Sequence, residues 1–493
     1  MNEIVNEVRK SFYLDSVALM RLSAEISALG GIEEAVLMSG TPSNQQIMRD
    51  AGLLNDTGAT ANANDLVIAL RADGNASVNR ALAQIEKSLQ GQSKNSNADT
   101  QQFVTLSSAI TAKPEFNLAL ISTPGAYAVR EAHTALDHGI NAMIFSDNVS
   151  IEAEASLKRK AQKLDLLVMG PDCGTAFIDS TPLAFANAIP AGNISAIAAS
   201  GTGLQEFSVL LAKLGGGIRH GIGVGGRDMH DDVGAISTLM AIDLLAADEK
   251  TDKIILISKP PGSQSAKTVF DKLANCGKPA IVCMFGIASV PNNDITVTNT
   301  LAAAAEAAAG NSLPQSDIGK LAAELGNSLK PMQKHLKGLF TGGTLCTEAH
   351  LVLRGLGVAI ESNAVESDTT TPHALIDLGA DEYTLGKPHP MLEPSVRSSH
   401  LMAELGKPET AVVMLDIVLG YGAHHDPATE VSAVLKNIDH NAIVLASVCG
   451  TPDDPQDYDQ QCQILSEAGV VLCQCNSEMA TLAAAIVNAV SDQ

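Results

Sequence analysis

The most informative part of this sequence is Ile197-Ala-Ala-Ser-Gly-Thr-Gly-Leu-Gln-Glu206, in which an apolar run leads into a glycine-rich turn and then into a helical pattern. This order predicts a buried strand, a tight turn and the first turn of a helix. The amides of such a first turn have no intrahelical acceptor, and the helix dipole adds positive charge, so the turn favours an anion. We therefore predict that Ser200, Gly201, Thr202 and Gly203 bind phosphate.

A second stretch of the same design occurs further along the chain, at Gly338-Leu-Phe-Thr-Gly-Gly-Thr-Leu-Cys346. Its predicted phosphate-binding residues are Gly342, Gly343 and Thr344, again at the start of a helical pattern. The hypothesis is that both helix starts face one phosphoryl group. The alternative at each stretch is a purely structural turn, because glycines often only make a tight connection between a strand and a helix.

Bulk properties limit the possible ligands and the cellular location. The chain has 493 residues, 45% of them hydrophobic and 18% charged, which suggests roughly three or four domains. Aromatic residues make up 3%, there is no Trp, and the net charge is -23, all of which argue against nucleic acid and anionic membranes as partners. The charged segment MNEIVNEVRK and the lack of long apolar runs predict a cytoplasmic protein. The eight cysteines lack the paired spacing of a metal site and are interpreted as reduced, buried thiols.

The order of apolar and amphipathic segments predicts the fold class. From Asn117 onward short apolar strands alternate with helical patterns, as in Leu118-Ala-Leu-Ile-Ser122 and the helix that follows it. This alternation indicates an α/β protein with parallel, doubly wound sheets, whose sites lie beyond the carboxyl ends of the strands. Residues 1–90 are predicted to form a small α/β module of βαβ type with a role in assembly.

Several motifs carry a resemblance to a known family. Gly170-Pro-Asp-Cys-Gly-Thr175, Ser200-Gly-Thr202 and Gly223-Val-Gly-Gly-Arg-Asp228 resemble, in order and spacing, the alpha subunit of succinyl-CoA synthetase. Gly342-Gly-Thr-Leu-Cys346 resembles the glycine-rich helix start of the beta subunit of that enzyme. The sequence is more similar still to the FdrA family of acyl-CoA-synthetase-like proteins. The motifs that carry this similarity are Gly170–Thr175, Asp377-Leu-Gly-Ala-Asp-Glu-Tyr-Thr384, Gly386-Lys-Pro-His-Pro-Met391 and Val448-Cys-Gly-Thr451.

The pattern of segments predicts a division into domains, and the resemblance implies the type of those from residue 113 onward. In order, these are the N-terminal module (1–90), a linker (91–112), a Rossmann-like domain of the CoA-binding type (113–190), a flavodoxin-like domain of the ligase type (191–312), a second linker (313–333) and a second flavodoxin-like domain (334–493).

The resemblance also implies a function. In the synthetase, opposed helix N-termini hold the phosphate of a phosphohistidine. Here Gly286-Ile-Ala-Ser-Val-Pro-Asn-Asn293 replaces the expected histidine loop, and Ser258-Lys-Pro-Pro261 replaces the end of a strand that would carry an orienting Glu. The resemblance then implies an enzyme that receives a ready-made acyl phosphate. FdrA-like proteins are associated with purine and allantoin breakdown, which implies a carbamoyltransferase subunit acting on carbamoyl phosphate and a small amide or ureido acid such as oxamate.

Partners and cofactors follow from the same resemblance. We expect companion carbamoyltransferase subunits, an oligomer, a small phosphate-bearing substrate and no required cofactor, with CoA as a possible ligand. The alternatives are an acyl-CoA synthetase that binds CoA and a non-catalytic scaffold whose partner subunit holds the chemistry.

Three side chains are predicted to be catalytic. Lys387 and His389 lie on a proline-stiffened loop, and Arg397 follows six residues after Met391. Arg397 would clamp a carboxylate and His389 would polarise a carbonyl or move a proton. The alternative is a salt-bridged loop that pairs with Asp381 and Glu382.

The predicted substrate-binding residues lie in the other glycine-rich loops, and they are Asp172, Cys173, Gly226, Arg227, Asp228 and His424. For Asp228 the alternative is a cap on the following helix. The run His424-His-Asp426 is not predicted to bind metal, because adjacent side chains point apart. A thiolate role for Cys173 or Cys346 would need a nearby base.

Overall fold

The computed structural model describes residues 3–12, 14, 16–27, 29–93, 103–259, 261–285, 295–365, 371–384 and 388–491. Contacts divide the chain into two compact units, one made of Met1–Gln102 with Asp381–Glu393, the other of Phe103–Ala380 with Pro394–Gln493. In the described ranges, no helix combines the length and apolar character needed to cross a bilayer. The cytoplasmic location stays a prediction.

The first unit contains a small antiparallel sheet covered by helices. Its elements are β1 (Glu3–Arg9), α1 (Ser16–Ser27), β2 (Ile32–Ser39), α2 (Pro42–Asp50), a 3-10 helix (Gly58–Thr60), β3 (Leu66–Ala72) and α3 (Asn75–Ser93). The strand order is β1-β3-β2, and both pairs are antiparallel. The module is therefore α/β as predicted, but it is not built on a parallel βαβ unit. Apolar residues of α1 and α3, such as Ile26 and Ile85, form its core with β3.

The second unit opens with a three-stranded parallel sheet. Its elements are α4 (Leu106–Ala112), β4 (Leu118–Ile121), α5 (Gly125–Asp137), β5 (Asn141–Ile144), α6 (Ile151–Lys163) and β6 (Val168–Met169). The strand order is β4-β5-β6. The alternating strand and helix pattern predicted this arrangement, although α4 lies in the segment interpreted as a linker.

A seven-stranded sheet follows. Its elements are β7 (Thr175–Ile178), β8 (Thr181–Ala184), β9 (Ala191–Ala198), α7 (Gly201–Lys213), β10 (Ile218–Gly223), α8 (Ile236–Ala247), β11 (Lys253–Ser258), α9 (Ser263–Ala274), β12 (Ala280–Met284), β13 (Ile295–Thr298) and α10 (Leu301–Ala309). The strand order is β13-β12-β11-β9-β10-β7-β8. Strands β9 to β13 are parallel, whereas the hairpin β7–β8 joins the edge in antiparallel orientation. This sheet therefore begins before residue 190, where the sequence placed the domain boundary.

The last sheet has six parallel strands. Its elements are α11 (Ile318–Gly326), β14 (His335–Phe340), α12 (Gly343–Gly355), β15 (Glu361–Ser362), β16 (Ala374–Asp377), α13 (Asp381–Thr384, grouped with the first unit), α14 (Ser395–Leu405), β17 (Thr410–Val418), α15 (Pro427–Asn437), β18 (Ile443–Cys449), α16 (Tyr458–Glu467), β19 (Val471–Cys473) and α17 (Asn476–Ser491). The strand order is β15-β16-β14-β17-β18-β19. Helix α11 occupies part of the predicted second linker.

These two large sheets share one topology, and this places the predicted site. If the edge hairpin β7–β8 and the two-residue edge strand β15 are left aside, the first strand (β9 or β14) lies between the second (β10 or β16) and the third (β11 or β17), followed by the fourth and fifth. In this flavodoxin-like order, the chain adds strands first on one side of the first strand and then on the other. Ligands of such sheets bind beyond the carboxyl ends of the strands, at the position where the strand order reverses. Helices α7 and α12 begin there. We call β9–α10 the first half and β14–α17 the second half, leaving out α13, which belongs to the other unit.

Candidate functional site

The first predicted helix start, at the end of β9, is a well-formed N-terminal cap. Ser200 has an extended backbone (φ -151°, ψ 128°), and its hydroxyl accepts a hydrogen bond from the Gly203 amide at 3.0 Å. The amides of Gly201 and Thr202 belong to the first turn of α7, where a helix supplies no acceptor. Ser200, Gly201 and Thr202 are partly exposed, so an anion from solvent can reach these donors.

The second helix start, at the end of β14, uses a distant carboxylate instead of a local cap. Gly342 occupies the cap position without a side-chain hydrogen bond. The amides of Thr341 and Gly342 both donate to the Asp416 carboxylate at 2.7 Å. Gly343 and Thr344 then supply the amides of the first turn of α12. The protein's own carboxylate therefore satisfies the donors that precede this helix.

The two helix starts meet. The hydroxyls of Ser200 and Thr344 share a hydrogen bond. A Cβ atom added at Gly342 would lie 3.0 Å from the Thr202 side chain, and one added at Gly203 would lie 3.1 Å from the Thr344 methyl group. The predicted convergence of the two glycine-rich stretches is confirmed, and at Gly342 and Gly203 the close approach of the other helix start leaves little room for a side chain.

Asp416 and Arg397 form a buried pair behind the second helix start. The Arg397 guanidinium donates to the Asp416 carbonyl oxygen at 2.6 Å, and Nη1 lies 3.7 Å from the carboxylate. Burial raises the pKa of Asp416, and Arg397 opposes part of this shift. Only 3% of Arg397 is exposed. Arg397 was predicted to clamp a substrate carboxylate, but α14 directs it inward onto β17, where it holds Asp416.

Two charged residues that the sequence did not single out lie beside the helix starts. A Cβ atom at Gly343 would lie 2.5 Å from the Asp377 carboxylate, which also accepts from the Gly379 amide at 2.9 Å. Lys259 is exposed and follows β11, the strand beside β9. Burial raises the pKa of the Cys346 thiol in α12, and the charge of Lys259 opposes part of this shift. Their positions in the sequence could have indicated both residues. Asp377 ends β16 and Lys259 follows β11, and each of these strands lies beside the strand that leads into a helix start.

The glycine-rich loops before and after β9 pack tightly against each other. A Cβ atom at Gly223 would lie 2.5 Å from the Cys173 sulfur, and one at Gly201 would lie 3.0 Å from the Thr175 hydroxyl. Burial raises the pKa of Cys173 to about 12, so this thiol stays protonated at neutral pH. The structure thus brings Gly170–Thr175 and Gly223–Asp228 to the first helix start. Asp172 and Gly226 are exposed in these two loops, and their role in substrate binding stays a prediction.

Arg227 and Asp228 belong to a buried ion cluster around Lys158. The Lys158 ammonium lies 2.8 Å from the carboxylates of Glu154 and Asp228, and Lys158 is 1% exposed. Asp228 also accepts from the amides of Ser237 at 3.1 Å and Thr238 at 2.9 Å, so it caps the start of α8. Arg227 is 2.9 Å from the second Glu154 oxygen. Asp228 therefore acts as a helix cap, which was the alternative to substrate binding, and Arg227 pairs with Glu154.

Of the other two predicted catalytic residues, the structure describes only His389. His389 groups with the first unit, and its Nδ1 accepts from the Met391 amide at 3.2 Å. Burial lowers the pKa of His389 to about 4, so its imidazole is neutral at physiological pH. Lys387 lies outside the described residues, as do residues 286–293. Their roles stay predictions.

His424 lies in a hydrogen-bonded loop, and its role in substrate binding stays a prediction. Its Nδ1 accepts from the Asp426 amide at 3.2 Å, and its carbonyl oxygen accepts from Gln456 at 3.2 Å. Asp426 in turn caps α15 through the Thr429 amide at 3.2 Å. Across the ranges that the structure describes, no three His, Cys, Asp or Glu side chains form a group that could hold a metal ion.

Two family models match this chain. The CoA-ligase model matches residues 339–486, which contain α12 and most of the second half. A model described as AllF, heavy metal-associated domain, matches residues 1–104. That segment contains neither Cys nor His in its sequence, so it offers no thiolate or imidazole for a soft metal.

Among solved structures, the dinucleotide-forming acetyl-coenzyme A synthetase 1 of Ca. Korarchaeum cryptofilum, in complex with phosphate and ADP, is similar over 81% of this chain and 87% of that chain, with 15% identity and a TM-score of 0.33. The ATP citrate lyase of Methanothrix soehngenii, in complex with citrate and coenzyme A, is similar over 44% of this chain and 39% of that chain, with 18% identity and a TM-score of 0.33.

The sequence relative is much nearer. The uncharacterized protein YahF of Escherichia coli (strain K12) is 36% identical over 500 residues, which span 97% of this chain and 97% of that protein. An identity of this size over nearly the whole length of both proteins extends from the N-terminal module to the CoA-ligase region. The chain therefore belongs to the same family as YahF, with an AllF-type N-terminal domain and a CoA-ligase region of the succinyl-CoA synthetase type.

Proposed function

We propose that this chain is the phosphate-handling subunit of a carbamoyltransferase that uses carbamoyl phosphate and a small amide or ureido acid such as oxamate. The observation that carries the proposal is the meeting of two helix starts at the Ser200–Thr344 hydrogen bond. Two helix N-termini at one place offer unpaired amides and two positive dipole ends, an arrangement suited to a phosphoryl group. The FdrA-like motifs and the absence of His from the sequence of residues 286–293 favour a substrate that arrives already phosphorylated.

The proposed reaction needs charge stabilisation on the leaving phosphate. The amide nitrogen of the acceptor attacks the carbonyl carbon of carbamoyl phosphate, and the bond from that carbon to the phosphate oxygen breaks. The electron pair leaves with phosphate, which also takes the proton that the nitrogen loses. Amides such as those of Gly201 and Thr202 contribute about 3 kcal/mol each when they stabilise developing charge in a site that excludes water.

The charges around the site favour a phosphate nearer to α7 than to α12. Asp377 beside Gly343 and the buried Asp416 would repel a dianion at the second helix start. Lys259 at the end of β11 adds a positive charge beside the first. In this proposal Gly201 and Thr202 hold the phosphate, and the second helix start completes the surface against which it binds.

The proposed enzyme requires no cofactor of its own and acts in an oligomer with companion subunits. An acyl-CoA synthetase is the second candidate, and the CoA-ligase model matched at residues 339–486 favours it. That candidate would bind CoA and would couple its use to nucleotide cleavage, whereas the carbamoyl proposal needs neither.

Phosphate release tests the proposal. The purified chain, alone and with candidate companion subunits, is incubated with carbamoyl phosphate and oxamate, and in parallel with ATP, CoA and a carboxylic acid. We expect oxamate-dependent phosphate release from carbamoyl phosphate in the reconstituted mixture. Release that requires ATP and CoA and does not respond to carbamoyl phosphate would contradict the proposal and support the ligase.

A variant pair distinguishes the proposal from a non-catalytic scaffold. Thr202→Tyr places a bulky side chain at the meeting point of the helix starts, and Thr111→Tyr makes the same change on an exposed face of α4. We expect the first variant to lose phosphate release and the second to keep it. Equal activity in both variants would support the scaffold alternative.

A further inference from the structure

The two halves of the second unit are related element by element. Helix α7 follows the first strand of its sheet and α12 follows the first strand of the other, and helices α10 and α17 close the two halves. Glu206 is the sixth residue of α7, and Glu348 is the sixth residue of α12. Both glutamates are buried. Corresponding positions in the two halves therefore carry the same buried acid.

Each glutamate binds the start of the closing helix of the other half. The Glu348 carboxylate in the second half accepts from the amide of Leu301, the first residue of α10, at 2.7 Å. The Glu206 carboxylate in the first half accepts from the amide of Asn476, the first residue of α17, at 3.2 Å. First-turn amides lack intrahelical acceptors, so each acid satisfies a donor of the opposite half.

Asn476 connects the two acids. Its side-chain nitrogen donates to Glu348 at 2.7 Å and to the Leu345 carbonyl oxygen at 2.9 Å, while its backbone amide donates to Glu206. Leu345 lies in the first turn of α12, next to Thr344. The network thus runs from α7 through α17 to the residue beside the predicted phosphate-binding turn.

The contacts at the helix starts have the same symmetry. The hydroxyls of Ser200 and Thr344 share a hydrogen bond, and at the equivalent positions with the halves exchanged a Cβ atom at Gly342 would lie 3.0 Å from the Thr202 side chain. Each contact therefore has a counterpart in which the two halves have exchanged roles. Such reciprocal contacts are typical of a two-fold interface. The two halves form an intrachain pseudo-dimer with the phosphate-binding turns at its interface.

We infer that Glu206 and Glu348 are positioning residues that hold the two helix starts against each other by exchanging helix caps between the halves. Removing either acid leaves a first-turn amide of the opposite half without its acceptor, so the disturbance appears in the half that was not changed. Both caps lie in the same interface between the halves, so removing Glu206 and removing Glu348 have similar effects on how the helix starts are held. Removing both acids therefore adds little to removing one.

Hydrogen exchange and phosphate titration of the full chain test this inference. In Glu206→Ala, amide exchange should rise in the first two turns of α12 and α17 as well as in α7, and Glu348→Ala should raise it in α7 and α10 as well as in α12. The phosphate readout rests on the proposed function, and we expect each variant to weaken inorganic phosphate binding about tenfold. Glu206→Gln keeps an oxygen acceptor for the Asn476 amide and should bind phosphate within about threefold of the unchanged chain.

A destabilised control separates positioning from a general loss of packing. Ile486→Val removes a methyl group from the buried face of α17 and should lower the unfolding midpoint without weakening phosphate binding. Exchange changes confined to the substituted half, or an equal loss of affinity in Ile486→Val, would overturn the inference. If the unchanged chain binds no phosphate, the proposed function is contradicted, and the exchange pattern alone then decides the positioning role.

Discussion

Ser200 and Thr344 are 144 residues apart in the chain, yet their hydroxyls share a hydrogen bond where two helices begin. Ser200 is at the same time the cap of its own helix, through the Gly203 amide. One side chain therefore links the first turn of α7 to the first turn of α12. The predictions below follow from this link and from the buried charges that support it.

Enlarging Gly342 should separate the helix starts. A Cβ atom there would lie 3.0 Å from the Thr202 side chain, which is tighter than ordinary contact. We expect Gly342→Ala to weaken inorganic phosphate binding about tenfold, because a small displacement of donors is enough to misalign them. Adding Thr202→Gly, which removes all three opposing side-chain atoms (Cβ, Cγ2 and Oγ1), should restore most of the affinity. Calorimetric titration of the unchanged chain and the two variants measures this, and failure of the second change to restore binding would show that the contact is unimportant.

Removing the Ser200 hydroxyl should destabilise the protein more than removing an ordinary cap. Ser200→Ala removes the helix cap, a loss that typically costs about 1 kcal/mol. It also leaves the Thr344 hydroxyl without this partner, and because Thr344 is only 3% exposed, this second loss adds about 1 to 3 kcal/mol. Ser150→Ala loses only the equivalent cap of α6. Urea unfolding compares the two, and Thr344→Val added to Ser200→Ala should recover part of the difference. Equal losses in the two single variants would contradict this prediction.

Lys158 should be far more important to stability than its neighbours on α6. Its ammonium is buried between Glu154 and Asp228, so Lys158→Met leaves the buried Asp228 carboxylate without its counter-charge and leaves Glu154 with only the partly exposed Arg227. We expect a loss of about 3 to 5 kcal/mol in the free energy of unfolding. Lys163→Met, on the exposed side of the same helix, should change it by less than about 0.5 kcal/mol. A small effect of Lys158→Met would mean that the cluster tolerates an apolar replacement.

Glu348 should make stability fall as pH rises. Burial raises the pKa of Glu348 from its ordinary 4.5 to about 7, hydrogen bonds from Asn476 and Leu301 lower it, and Glu206 raises it. Between these values the folded chain holds a proton that the unfolded chain lacks, so the stabilisation is complete below pH 4.5 and is lost as the pH rises through about 7. Glu348→Gln cannot lose this proton, and from pH 5 to 8 its free energy of unfolding should gain on the order of 2 to 3 kcal/mol relative to the unchanged chain. Parallel pH profiles from urea unfolding would contradict the raised pKa.

Ser200 and Gly342 show what the sequence could predict. A strand, a glycine-rich turn and a helix form a local pattern, so both helix starts were predicted at their residues. The alternating strands also predicted the parallel sheets, and the motifs that resemble succinyl-CoA synthetase placed the two starts opposite each other. The same local reasoning missed the hairpin β7–β8 as part of the seven-stranded sheet, because antiparallel pairing with β10 depends on packing far along the chain.

Arg397 and Lys158 show where sequence reasoning ended. Lys158 has Glu154 one helical turn before it, but only the tertiary structure buries this pair and adds Asp228, and only the tertiary structure places Asp416 beside Arg397. Glu206 and Glu348 likewise read as ordinary polar residues of two amphipathic helices. Their function as exchanged helix caps requires two halves in contact, and a linear pattern carries no information about that contact.

Titration of the unchanged chain with inorganic phosphate, followed by competition with carbamoyl phosphate, tests the central claim most directly. If two helix starts form one phosphoryl site, calorimetry should show saturable binding of one phosphate per chain, carbamoyl phosphate should displace it, and Gly342→Ala should weaken both ligands together. Absence of saturable binding, or binding that Gly342→Ala leaves unchanged, would contradict the account.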